Sequence, residues 1–268
     1  MEQGTRQELI DRLAEAVGAA GAVTAGAAGV AGAVTAGAAG VAGVAGAVTA
    51  GAVTTRHPVR VAVDGPPAAG KTTLADELAV VLRTRGREVI RATVDDFLVP
   101  RAQRYRRGRY TAEGCYFDAH DRAALCRFLL DPLGPGGDRR FRTTAYDAQT
   151  DTALSPPAAT APADAVLLFD GVFLLRPELL DRWDLRVLVS VPFEQTVDRA
   201  RSRDAALTAA ARSRDAALTA AAEIERSWRD RYLPAQRLYA ATAHPADHAD
   251  ITVHNTRLQN PSWEVRPG

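Results

Sequence analysis

From residue 57 onward the chain alternates short apolar runs with stretches of helical period. VRVAVD (59–64), REVIRATVD (87–95), AVLLFDG (165–171), DLRVLVSV (184–191) and ADITVH (249–254) are rich in Val, Leu and Ile. Runs of this kind, apolar at most successive positions, predict strands covered on both faces. Between the first two, TTLADELAVVLRTRG (72–86) has apolar residues at helical spacing and a closing glycine, which predicts a helix ending near Gly86. Strands separated by helical segments predict an α/β domain: a three-layer α/β/α sandwich around a mainly parallel five-stranded sheet. Ligands of such sheets sit at the carboxyl ends of the strands.

The segments ahead of and within this domain carry repeats. QGTRQELIDRLAEAV places Leu9, Ile10, Leu13 and Val17 on one helical face, so residues 1–18 are expected to form an amphipathic helix. Residues 16–55 contain only Ala, Gly, Val and Thr, and GAVTAGAAGVA at 21–31 recurs unchanged at 32–42. Such a length would cross a bilayer, but ten glycines and the lack of Leu, Ile and Phe make insertion poor. A flexible or weakly helical linker is expected over 19–56, with small-residue helix packing, in a membrane or between copies, as the alternative. The main domain is expected over 57–258 and a tail over 259–268. Inside it, ARSRDAALTAA at 200–210 is repeated at 211–221, within a long helical stretch of about 193–230. Eleven residues make about three helical turns, so the copy turns the helix face by only about 20° and advances it by about 16 Å.

Charge and composition narrow the function. With 33 basic and 32 acidic residues the net charge is +1, too small for a global field that would hold nucleic acid or an anionic membrane. Cys115 and Cys126 are too few for a disulfide framework and lack metal spacing, which suits a cytoplasmic protein. The five histidines show no zinc spacing. Lys71 is the only lysine. Arginine has replaced it everywhere else, so this position demands a compact ammonium rather than a planar fork.

That lysine lies in GPPAAGKTT (65–73), which fits G-x-x-x-x-G-K-T directly after a strand and before a helix, the context of a phosphate-binding loop. Gly65, Pro66, Ala68, Ala69, Gly70, Lys71, Thr72 and Thr73 are expected to hold the phosphates of ATP through backbone amides and the ammonium. The Thr72 hydroxyl is expected to ligate Mg²⁺, with Asp170, at the end of the third expected strand, as the second metal residue. VDDF (94–97) follows the second expected strand, beside the loop. Asp95 there is the candidate base for a substrate hydroxyl. No N-K-x-D signature of a GTPase is present. RAQRYRRGRY (101–110) carries five arginines, readable as a solvated loop, as capture of an anionic acceptor, or as a nucleic-acid contact.

These segments, with YRRGRYTAEGCYFDAHD, LLDPLGPGGDRRFRT and RYLPAQRLY, resemble the uridine kinase and phosphoribulokinase group of P-loop kinases, especially the uridine kinase-like proteins of actinobacteria. The resemblance spans roughly the last 210 residues and implies a P-loop NTPase fold with a helical lid. It implies that Asp95 activates the 5′-hydroxyl of a pyrimidine nucleoside, that Asp118 holds its ribose, and that Tyr146 and Arg106 belong to the substrate pocket. Arg199 and Arg203 would be lid arginines on the transferring group, and Arg214 duplicates Arg203. YDAQTDT places Asp151 where uridine kinases carry a base-reading histidine. The implied partners are ATP and a small hydroxylated substrate, without nucleic acid, with homo-oligomers known in the family. The alternatives are a kinase for a phosphosugar, pantothenate or glycerate, and a nucleotide-dependent binding protein without turnover.

Overall fold

The computed structural model describes residues 1–32, 56–209 and 222–267, with the side chains of 25–32 and 203–209 outside the description. Most of the Ala/Gly repeat and the second lid copy, Arg214 included, therefore lie outside the described residues.

The main sheet has seven strands: β1 (Glu2–Gln3), β2 (Val59–Asp64), β3 (Val89–Thr93), β4 (Val166–Gly171), β5 (Leu185–Ser190), β6 (Ile251–His254) and β7 (Ser262–Val265). Their order is β1-β7-β6-β5-β2-β4-β3. The five expected strands, β2 to β6, are the parallel ones. Two strands that the apolar pattern did not announce, β1 and β7, extend the sheet antiparallel beyond β6. They read EQ and SWEV, too short or too polar to form an apolar run. β4 lies between β2 and β3.

The parallel strands read as continuous apolar runs because both faces are covered. Val61 and Val63 of β2 belong to the core shared with helices α1 (Arg6–Gly32) and α2 (Lys71–Thr84), and Ala62 between them belongs to the core on the other face. That second core also holds residues of α3 (Ala112–Asp118) and α5 (Leu233–Ala243), while α4 (Phe193–Ala209) follows β5. Helix α1 starts in a reciprocal cap: the Thr5 amide donates to Glu8 at 2.7 Å, and the Glu8 amide donates to the Thr5 hydroxyl at 3.2 Å. Its Leu9, Ile10, Leu13 and Val17 are all buried against the sheet. Among the described residues no helix is long and apolar enough to cross a membrane.

Two ion pairs of one design pin the amino ends of the strands. Arg60 of β2 gives a forked bond to Asp184, just ahead of β5, at 3.1 and 3.0 Å, and the Asp184 amide returns to the Arg60 carbonyl at 2.8 Å. Arg186 of β5 does the same with Asp250, just ahead of β6, at 3.1 and 2.8 Å. A fork with a returned backbone bond fixes the register of one strand against the next. The carboxyl ends are left for chemistry.

Candidate active site

At the carboxyl end of β2 the chain turns sharply into a loop that α2 continues. Gly65 has φ +147° and Gly70, the residue ahead of α2, has φ +93°. Side chains are excluded at both, since a Cβ on Gly65 would lie 2.3 Å from the Val189 carbonyl oxygen and one on Gly70 would lie 2.7 Å from Asn255 Nδ2. Asn255 braces the loop: its Nδ2 donates to the Ala69 carbonyl at 2.8 Å, and its Oδ1 accepts from Arg6 of α1 at 3.3 Å. Lys71 opens α2 with its ammonium curled back to the Pro66 carbonyl at 2.8 Å. It therefore lies along the loop, where a phosphate chain would be cradled.

Below the loop lies a buried network that sequence reading missed. Asp64, wholly buried at the end of β2, accepts from the Gly65 amide at 2.7 Å and from the Tyr239 hydroxyl at 2.5 Å. Burial pushes its carboxyl above the ordinary range despite these bonds and the nearby Lys71 charge. An acidic residue closing the apolar run VAV was the available signal.

Carboxylates from two neighbouring strands face the loop. The Thr72 hydroxyl donates to Asp170 Oδ2 at 2.6 Å, and Arg91 holds Oδ1 at 2.8 Å. A hydroxyl and a carboxylate side by side are hard oxygen donors suited to Mg²⁺, which takes only one or two protein ligands and completes its shell with phosphate and water. Asp95 lies in the 3-10 turn Val94–Phe97 that follows β3. Its neighbour Asp96 is pushed above the ordinary carboxylate range by burial and then by the Asp95 and Asp170 charges.

A cavity of about 640 Å³ gathers these groups: Ala68, Lys71, Thr72, Asp95 and Asp170 all line it. The remaining loop residues, Gly65, Pro66, Ala69, Gly70 and Thr73, shape the loop and the start of α2 without lining the cavity. Asp95 thus reaches the site although its strand is not adjacent to β2. Four other expected site residues, Arg106, Asp118, Tyr146 and Arg199, lie outside the lining. Asp118 is buried against Arg106 at 2.9 Å and Arg107 at 2.8 Å. Burial works to raise its carboxyl, but those two guanidiniums outweigh it and hold it below the ordinary range. The Tyr146 hydroxyl donates to Asp151 at 2.5 Å. Arg199 donates to the carbonyls of Asn255 and Thr256 at 2.7 and 3.2 Å, so it straps the loop's brace. The Arg203 side chain lies outside the described residues.

The rest of the lining was not foreseen by residue. Arg104, Tyr105 and His120 enter from the segment after β3, while Trp228, Arg231 and Tyr232 enter from the π-helical segment Ser227–Tyr232. The arginine-rich segment was the signal for Arg104, but nothing in it separates a buried arginine from a solvated one. Burial, then the charges of Arg122, Arg176, Arg104 and Arg231, press His120 down to about 3. A base whose folded value lies below its unfolded value of 6.5 gives stability that is complete above that value and is lost as pH falls toward 3. Replacing His120 by Gln should shrink the loss of unfolding free energy between pH 7 and pH 5 by about 2 kcal/mol, read from urea titrations at the two pH values.

A model of the cytidylate kinase-like family matches residues 60–257. Among solved structures, that of a possible uridine kinase from Bacillus stearothermophilus is 25% identical, with a TM-score of 0.54, covering 75% of this chain and 91% of its own. D-glycerate 3-kinase from Cryptococcus neoformans var. grubii is 13% identical with a TM-score of 0.57, covering 97% of this chain and 98% of its own, a likeness of fold alone. No curated protein matches the chain.

Proposed function

The chain belongs to the cytidylate kinase-like family and is an ATP-dependent kinase, and we propose that it moves the γ-phosphoryl group of ATP to the hydroxyl of a small metabolite bound beside Asp95. The observation that carries this reading is the shared cavity that Lys71 and Thr72 of the phosphate loop line together with Asp95 and Asp170. Asp95 would accept the hydroxyl proton as the acceptor oxygen forms its bond to phosphorus. The bond from that phosphorus to the bridging oxygen breaks, ADP departs, and the proton stays on Asp95. Lys71 and the loop amides would neutralise charge that grows on the phosphate oxygens. Thr72, with Asp170 through water, would hold Mg²⁺, which supplies further charge neutralisation when bound.

The similarity to a possible uridine kinase supports a pyrimidine nucleoside, through its 5′-hydroxyl, as the acceptor. A second reading, another hydroxylated metabolite such as a phosphosugar, pantothenate or glycerate, is favoured by one observation: Asp118 and Tyr146, on which nucleoside recognition would rest, are engaged with Arg106, Arg107 and Asp151 outside the cavity lining. ADP release from Mg·ATP, measured across uridine, cytidine, ribulose 5-phosphate, pantothenate and glycerate with Lys71→Ala as the control for contaminants, decides between them. An acceptor-dependent rise absent from the control supports the kinase and names its acceptor class. Nucleotide binding without any rise would instead indicate a binding protein.

A further inference from the structure

Two guanidinium groups in the cavity lining have no carboxylate within salt-bridge distance among the described residues, although Arg104 acts through space on Asp151 outside the lining. Four arginines among the described residues are buried: Arg60, Arg104, Arg176 and Arg231. Arg60 and Arg176 each meet a carboxylate, Asp184 at 3.0 Å and Glu178 at 2.9 Å. Arg104 and Arg231, 7% and 6% exposed, line the cavity instead. Arg104 Nε is buried with no hydrogen-bond partner, while Arg231 donates to the Arg109 carbonyl at 2.8 Å and also engages the Cys115 thiol. Neither forms an ion pair within the described residues. A buried cation without an ion-pair partner is costly, so its retention at the wall of a cavity points to a negative group that arrives from outside.

The two charges act on one place. Each guanidinium carbon stands 5.2 Å from the centre of the Tyr105 ring, and both groups bear on His120. Arg104 comes from the helical turn Arg101–Arg104 and Arg231 from the π-helical segment Ser227–Tyr232, so an anion held by both would join two separate parts of the wall. Other cations of the lining are already committed: Arg109 pairs with Glu223 at 3.2 Å, and Lys71 belongs to the phosphate loop. The arginine pair is also near the candidate base, since Cys115 and Tyr232 feel both Arg231 and Asp95.

We infer that Arg104 and Arg231 form a subsite for an anionic group, phosphate or carboxylate, carried by the acceptor whose hydroxyl Asp95 activates; this rests on the kinase reading above. Planar guanidinium forks match both anions bidentately, and a neutral His120 can donate one further hydrogen bond to them. A neutral nucleoside would leave both charges unanswered.

The test uses matched pairs that differ in the anionic group: ribose and ribose 5-phosphate, glycerol and glycerate, uridine and uridine monophosphate. Each is titrated calorimetrically into the full chain loaded with Mg²⁺ and a non-hydrolysable ATP analogue. At least one charged member should bind about tenfold or more tightly than its neutral twin, and that preference should fall below about twofold in Arg104→Ala and in Arg231→Ala. Whether the phosphate or the carboxylate pair responds distinguishes the two anions. Arg104→Ala should melt at or above the wild-type temperature, because a costly charge is gone; Arg104→Met carries the same test should the smaller residue leave the wall unfolded. Equal binding of every pair, a preference that survives both substitutions, or a loss confined to the ATP analogue overturns the subsite. A charged twin that binds without ADP release would sink the kinase reading and leave the subsite standing.

Discussion

Asp95→Asn is expected to lower kcat about a thousandfold while leaving affinity for Mg·ATP within about twofold of the wild type. Asparagine keeps the shape of the side chain but has no lone pair basic enough to take a hydroxyl proton. The position is set by backbone, since β3 runs directly into the turn that holds Asp95, so the substitution leaves its scaffold in place. A thousandfold loss corresponds to about 4 kcal/mol of transition-state stabilisation, within the ordinary span of a positioned base. Asp96→Asn is the internal control. Asp96 lies outside the cavity lining and serves the fold through its carbonyl, which accepts from the Ala145 amide at 2.9 Å; its replacement should cost less than about tenfold in kcat. Single-turnover rates with saturating acceptor, beside titration of nucleotide, separate the two quantities. Undiminished turnover in Asp95→Asn would remove Asp95 from the role of base.

The second large effect is structural. Gly65→Ala should destabilise the domain by about 3 kcal/mol and lower its melting temperature by roughly 10 °C. The cause is contact with backbone rather than with a movable side chain: the new Cβ would stand 2.3 Å from the Val189 carbonyl oxygen of β5. A strand in mid-sheet cannot retreat, so the loop must lift and take its phosphate amides with it. Nucleotide affinity should fall together with stability. Gly86→Ala separates this clash from the cost of positive φ alone, because Gly86 has φ +77° with no atom within 4 Å of the added carbon; it should cost about 1 kcal/mol and leave nucleotide binding unchanged. Scanning calorimetry with and without Mg·ATP distinguishes the two variants, and equal losses in both would rule out the backbone contact as the cause.

What could be read from the chain followed the physics of each feature. The five parallel strands were visible because covering a sheet on both faces demands apolar residues at nearly every position. The phosphate loop was visible because its glycines and lysine answer to local geometry. β1 and β7 were hidden, since EQ and SWEV are recruited by an available sheet edge rather than by their own pattern. The Asp64–Tyr239 bond joins residues far apart in sequence, and the brace at Asn255 depends on a close approach that no spacing reveals. Arg104 was hardest to see, because it shares a segment with Arg106 and Arg107, which go instead to Asp118.

The ion pairs Arg60–Asp184 and Arg186–Asp250 lock the sheet at one end, whereas Asp170 lies near the carboxyl end of β4 and Asp95 and the arginine pair lie on short helical segments outside the sheet. Changes that retune the acceptor therefore fall on residues the register does not depend on. A combinatorial library confined to positions 101–109 and 227–232 should keep a high proportion of folded members while varying what they phosphorylate. The same division gives a lineage of such proteins room to drift from one metabolite to another without first passing through an unstable ancestor.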